Sequence, residues 1–473
     1  MFLRKSIVNK SEETMKEYIS KTIFVLLLLS TLNYSQSIYK PHWKNKFELS
    51  PSQKTFLDTL QHRTFRYFLD EINPENGLVK DRSTDSSPAT IAAVGFAVPV
   101  WAIGAEKGWI SREYAAKLTL NMLKFFINSE QSDEKFATGR IGFYYHFLDM
   151  KTGKRFWNCE LSSIDSGLLF CGMIFARNYF TKNNEVENQI RNLAGRLLDR
   201  ADWKPWVMSE DTEFPNQICM GWEEKGFHKT GWFGYTESLF LYVIASGMNL
   251  PNPDKAFSSF QNTYRWREPF KKEFAHVVFP PLFAHQYSFL WLNPFGLKDS
   301  FMIKKGIDFA ENSRRATYVN REYSIVNPKK WAGYDSLCWG LTACDGPGDK
   351  YNFDGKKFDG YSARGSAGLD STENDDGTLA PTAPGASIPF APEICIPTLM
   401  NISNKYKNIW GKHGMMDSFN PTLNWVDSDD LGLDQGPIVL MIENYYNGFV
   451  WKYFMKDEIV VKGLTKLGFE YKK

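Results

Sequence analysis

The chain has 473 residues, 43% hydrophobic and 16% aromatic, which supplies ample core and excludes a disordered protein. Its 56 basic and 54 acidic residues leave a formal charge of +2 with no long single-sign run, which argues against a polyanionic partner and against nucleic acid.

At the N-terminus, KTIFVLLLLSTLNYSQ carries Lys21, an apolar run from Ile23 to Leu32 and then small or polar residues. This is the layout of a secretory signal peptide, and the run falls well short of the roughly 20 residues of a membrane span. The reading is a signal over 1–35, in which 1–14 is a start-site extension because Met15 and Lys16 give a normal basic start, followed by a linker over 36–48 and one domain over 49–473. No cysteine stands near the cleavage expected after Ser35, so a periplasmic or secreted monomer is expected, with no transmembrane segment after signal removal. The six cysteines read as buried small hydrophobes, not a required disulfide framework. No pair has zinc-ribbon spacing and the seven histidines form no HxxxH or HxH pattern, so neither metal nor cofactor is expected.

Helical periodicity then predicts elements over 51–69, 88–107 after a capping Ser87, 111–128, 162–180, 185–200, 234–247, 299–315 and 392–405, with shorter ones near 255, 287 and 437. That makes about a dozen helices. Strand signals are sparse: IGFYYHFLDM beside KTGKRFWNCE predicts a small hairpin turning at Thr152-Gly153-Lys154. Long Gly- and Pro-rich connections, 339–393 above all, suggest an all-α protein of paired helices in a ring whose loops carry function.

Carboxylates in aromatic company recur, as hydrolysis of a glycosidic bond requires: a protonated acid for the leaving oxygen and a carboxylate to activate water or attack. NCELSSIDSGLLFCG offers Glu160 and Asp165, WFGYTES offers Glu237, WGLTACDGP offers Asp345, and FAPEI offers Glu393. Each has a purely structural alternative. Glu237 can be the wet first turn of a helix, Asp165 a capping-box residue, Asp345 an Asx turn, and Glu393 a complement to a helix dipole. Trp232, Tyr235 and Trp339 are either core or stacking faces for sugar rings. His285 and Gln286 are either satisfied core groups or ligand contacts, and Arg314 with Arg315 either ends a helix or clamps hydroxyls. DSTENDDG, 370–377, reads as a solvated acidic turn ahead of a calcium loop.

The blocks GLVKDR, ATIAAVGFAVPVWAIGAEKGWISR, ELSSIDSGLLFCG, GWFGYTES, PLFAHQYSFLW, NSRRA, WGLTACDGP, DDGTLAPTAPGASIPFAPE and GLDQGPIVLMIENY occur in an order that resembles the glucoamylase-like family, in particular glycoside hydrolase family 144, over about residues 52–457. The resemblance implies an (α/α) six-fold barrel acting on β-1,2-glucan, as an endo-β-1,2-glucanase or a disaccharide-releasing exo enzyme, with an inverting mechanism. It carries over Asp165, Glu237 and Asp345 as catalytic acids. Glu160, Trp232, Tyr235, His285, Gln286, Arg314, Trp339 and Glu393 are expected at the substrate. A departure is Asn293, where the family pattern suggests an aspartate. Starch hydrolysis and non-catalytic glycan binding are the competing readings.

The bottom-up expectation is sharpest at Glu237. Held against Trp232, Tyr235 and an all-apolar helix, its carboxyl has its proton affinity raised by desolvation, as a general acid at neutral pH needs.

Overall fold

The computed structural model describes residues 47–369 and 374–471, so the signal read over 1–35 and nearly all of the 36–48 linker lie outside the described residues. Leu49–Lys473 forms one compact unit. Its helices are α1 Pro51–Asp70, α2 Ile91–Glu106, α3 Arg112–Asn128, α4 Ser163–Tyr179, α5 Glu185–Arg200, α6 Leu239–Gly247, α7 Pro253–Gln261, α8 Ser288–Trp291, α9 Ser300–Lys305, α10 Phe309–Val326, α11 Thr382–Ala386, α12 Pro392–Lys405, α13 Gly432–Asn447, α14 Phe449–Phe454 and α15 Glu458–Lys466.

Two kinds of helix follow from the sequence. In α2 every residue from Ile91 to Gly104 is buried, and α6 is buried from end to end. Helices apolar all round must be enclosed on all sides. They form the inner ring: α2, α4, α6, α8 with the 3-10 turn Leu282–His285, α11 and α13 touch in that cyclic order, and α13 closes on α2. Amphipathic helices pack outside them, α1 on α13, α3 and α5 on α2 and α4, α15 on α6, α10 on the 3-10 turn and α12 on α11. This is an (α/α) six-fold barrel. The tightest inner contact rests on glycine: a Cβ on Gly95 of α2 would stand 2.3 Å from the Leu168 carbonyl oxygen of α4, so only glycine lets the two backbones meet.

The N-terminal ends of the inner helices are tied down by strands of two or three residues. Ala89–Thr90, just before α2, pairs with Phe147–Leu148, and Leu161–Ser162, just before α4, pairs with Gly221–Glu223. Arg82 bridges Leu431 before α13, and Leu379 bridges Phe419. This end of the ring carries the acids described below.

Several expected boundaries differ. Residues 88–90 are not helical, because Ala89 and Thr90 are taken by the strand pair and α2 starts at Ile91. The element expected over 299–315 is two helices, broken where Gly306 turns to φ 71°, and its second half runs on to Val326. The hairpin turn forms, with Asp149 N–H donating to the Lys154 carbonyl at 2.8 Å, but Phe147–Leu148 spends its edge on Ala89–Thr90. All six cysteines are buried and free. The acidic turn at 374–377 is not solvated: Asp375 accepts from Tyr334 Oη at 2.7 Å and Tyr323 Oη at 3.1 Å, and Asp376 takes both arms of the buried Arg364 at 2.7 Å. Asp375 and Asp376 are therefore committed to protein partners, while 370–373 of the same acidic stretch lie outside the described residues.

Candidate active site

Glu237 sits in the turn that leads into α6, with Ser238 at the N-cap. Its carbonyl accepts from Ser288 Oγ at 2.6 Å, which fixes the turn to α8. The carboxyl itself is half-buried and accepts no hydrogen bond from another side chain among the described residues. Burial raises its pKa to about 7, and the negative charge of Asp165 adds to the rise. A group so placed holds its proton near neutrality and can give it up.

Asp165 lies in the first turn of α4, where its N–H donates to the Ser162 side chain at 3.2 Å and Ser162 Oγ donates back to its carboxylate. Burial pushes its pKa up, against the pull of His146. His146 Nδ1 is 2.9 Å from Glu160 Oε1 and Nε2 is 3.8 Å from Asp165 Oδ1. Burial alone would strip the imidazole of its proton, but Asp165 and Glu160 outweigh it and lift the pKa to about 9. Glu160 is half-buried, which opposes ionisation, yet His146 holds its pKa below the usual range.

A second group of acids faces the first. Arg82 Nη1 donates to Asp345 Oδ2 at 2.6 Å and Nε donates to Asp81 Oδ2 at 3.3 Å. The Asp345 backbone N–H donates to Asp417 Oδ2 at 2.7 Å. Asp417, 2% exposed, lies beside Asp434, which is 6% exposed in the first turn of α13. Burial and the neighbouring Asp434 charge push the Asp417 carboxyl well above the usual carboxylate range. Asp434 is raised by burial to about 6, with the Asp417 hydrogen bond restraining the rise. Asp427 is raised to about 7 by burial and by the charges of Asp417 and Asp345.

The two groups belong to one site. His146 and Asp81 feel each other's charge, and the buried Tyr287 phenol, which donates to the Leu433 carbonyl at 2.9 Å, has its pKa raised by burial and by Asp434, Glu237 and Asp417 among others. Candidate ligand atoms of His146, Glu160 and Asp165, and of Asp345, Asp417 and Asp427, lie within 4.8 Å of one another in each set. Protonated His146 and Arg82 already bring positive charge to both.

Of the residues expected at the substrate, the structure brings Glu160 to the acids and keeps others away. Trp339, His285, Gln286 and Tyr235 are 0–2% exposed and offer no surface to a glycan. His285 Nε2 faces the Phe279 carbonyl at 3.2 Å, and Gln286 Nε2 donates to the Ala383 carbonyl at 2.8 Å and Ser387 Oγ at 2.7 Å. Trp232, 7% exposed, spends its indole N–H on Ser163 Oγ at 2.9 Å. Arg314 and Glu393 pair at 2.6 Å, and Arg314 also donates to the Phe390 carbonyl, beyond the C-terminal end of α11 and so away from the acids. Their physical role is to fasten α10, α11 and α12. Asn293 Oδ1 caps its own turn, accepting from Phe295 N–H at 3.1 Å.

His146, Arg82, Asp417 and Asp434 escaped the sequence reading. Asp434 stood in GLDQGP and Arg82 in GLVKDR, where a first-turn acid or a loop arginine reads as ordinary until packing buries it.

A family model described as "Glycoamylase: Putative glucoamylase" matches residues 229–458. The chain is 32% identical to a putative glucoamylase from Bacteroides uniformis of known structure, covering 90% of this chain and 98% of that one with a TM-score of 0.76. An endo-β-1,2-glucanase from Chitinophaga pinensis, solved with sophorotriose and glucose, is 27% identical over 90% of this chain and 99% of that one, with a TM-score of 0.76. An exo β-1,2-glucooligosaccharide sophorohydrolase of Parabacteroides distasonis is 27% identical over 453 residues, 88% of this chain, and the chain spans 58% of that relative's length.

Proposed function

From the premise that the chain belongs to the glucoamylase-like family, glycoside hydrolase family 144, we propose that it hydrolyses β-1,2-glucan, acting inside the chain as an endo-β-1,2-glucanase. The observation that carries the chemistry is Glu237, a carboxyl raised by burial to about 7 that accepts no side-chain hydrogen bond among the described residues and shares its site with a second set of acids. Glu237 protonates the leaving glycosidic oxygen. Asp434, ionised at neutral pH and steadied by the proton on Asp417, activates water from the opposite face. Asp165, beside His146, orients the sugar next to Glu237, and Asp345, held by Arg82, does the same on the far side.

Glu237 stands just before α6 and Asp434 in the first turn of α13, and this placement on separate elements of the ring supports inversion; proton NMR of the first product anomer tests this, a first-formed β-anomer being the contrary result. The likeness to the Chitinophaga pinensis enzyme over nearly its whole length supports the endo reading. The likeness to the Parabacteroides distasonis protein supports exo release of sophorose as the second reading. Sizing the products of linear β-1,2-glucan separates them: a spread of short oligosaccharides marks endo action, sophorose alone exo action. A glycan-binding protein without activity would bind by calorimetry and release no reducing ends.

Export belongs to the same proposal, supported by the Lys21 to Ser35 pattern. Fractionation of cells carrying the full gene should find processed protein outside the cytoplasm; unprocessed cytosolic protein would refute it. Among the described residues no helix is long and apolar enough to cross a membrane.

A further inference from the structure

Trp157 is the one tryptophan among the described residues that stands exposed, at 61%. The other described tryptophans are buried or half-buried, and an indole left this open forgoes the stabilisation of burial, which calls for a reason. Its backbone is also held at φ 55°, a left-handed conformation that disfavours a bulky residue and persists only where the surroundings impose it.

The surroundings do impose it. Arg155, 4% exposed, donates from Nε to the Cys159 carbonyl at 2.7 Å, lies 4.3 Å from the Tyr145 ring centre, and pairs with Glu224. Phe147 N–H donates to Cys159 Sγ at 3.4 Å. The segment 155–159 is thereby pinned at both ends, and the indole projects from a prearranged support.

Its position relative to the acids is given by a chain of rings. Trp157 meets Phe147 edge-on at 5.2 Å and 72°, Phe147 stacks on His146 at 4.0 Å and 9°, and His146 is hydrogen-bonded to Glu160. Phe156 meets the other side at 5.0 Å and 63°. An exposed, conformationally fixed aromatic face one ring away from an acidic site suits the C–H face of a neutral pyranose, which stacks on indole while its hydroxyls meet the acids.

We infer that Trp157 is the platform of a sugar subsite at the rim of the Glu160 side, taking one glucosyl unit of a bound β-1,2-glucan beyond those at the acids. The inference rests on the glucan reading above. Binding energy at such a remote unit holds the chain in register across Glu237. A fixed platform also lowers the ordering cost of binding relative to a mobile one.

The test measures dissociation constants by calorimetry for a ladder of β-1,2-glucooligosaccharides of increasing length, on Glu237→Gln as the non-hydrolysing parent and on that parent carrying Trp157→Ala or Trp157→Phe. The parent should gain affinity in a step of about ten-fold at the length that reaches Trp157. Trp157→Ala should lose that step and Trp157→Phe keep most of it, with unchanged melting temperatures in both. A ladder for Trp157→Ala that superimposes on the parent's overturns the subsite while leaving the substrate reading intact. A parent that binds no member of the ladder removes the substrate reading and this inference together.

Discussion

His146 and Glu160 meet at 2.9 Å in a site that would otherwise concentrate negative charge. With its pKa lifted to about 9 from an ordinary 6.5, His146 contributes stability that is complete below pH 6.5 and is lost as pH rises toward 9. The contribution is no more than about 3 kcal/mol. Chemical denaturation at intervals between pH 6 and 9.5 should show this loss in the native chain and a flatter profile in His146→Gln. Parallel profiles would show that the imidazole carries no such charge.

Glu237 predicts the same sign from a different cause. Its pKa is raised by burial to about 7, so the folded state prefers it neutral; stability is complete below pH 4.5 and falls as pH rises through 7. Glu237→Gln removes the penalty. The variant should be more stable than the native chain at pH 8, by up to about 3 kcal/mol, while turnover falls roughly 10²–10⁴-fold. Loss of turnover with loss of stability at pH 8 would mean a structural role.

For Asp417 and Asp434 the expectation is asymmetric. Asp434→Asn removes the ionised member and should lower kcat by about 10² or more. Asp417→Asn places an amide donor beside Asp434 and should cost less activity, with a gain in stability at pH 7 because folding no longer has to hold a proton on a buried carboxyl that is ionised in the unfolded chain. Equal losses in the two variants would reverse the assignment of proton holder and base.

The long connection between α10 and α11 is fastened by Arg364 and Asp376, paired at 2.7 Å with the arginine side chain fully buried. Asp376→Ala leaves that charge uncompensated and should destabilise by about 3–5 kcal/mol in urea unfolding. A change under about 1 kcal/mol would mean that solvent reaches the guanidinium.

Much of the fold was legible because its signals are local. The all-apolar runs of α2 and α6 announce burial on every side, and Ser111, Ser162 and Asn184 each cap the helix that follows them. The break at Gly306 was not, since one glycine in a periodic pattern is compatible with a continuous helix. In the site, Glu237 was visible as a lone carboxylate against an apolar helix. Asp417 and Asp434 were not, because each is ordinary in its own segment and only the packing of the loop that carries Asp417 against the first turn of α13 makes them neighbours. His285, Gln286 and Trp339 look like ligand contacts in sequence for the converse reason: tertiary packing gives their polar groups internal partners or encloses them.

The central claim is that Glu237 drives hydrolysis of β-1,2-glucan. The most direct measurement incubates the purified chain and its Glu237→Gln variant with linear β-1,2-glucan, laminarin, cellulose oligomers and starch, and follows new reducing ends. The account predicts rapid release of short sophoro-oligosaccharides from β-1,2-glucan alone, nearly abolished in the variant. Glucose released from starch with β-1,2-glucan untouched, or a variant that turns over at the native rate, would contradict it.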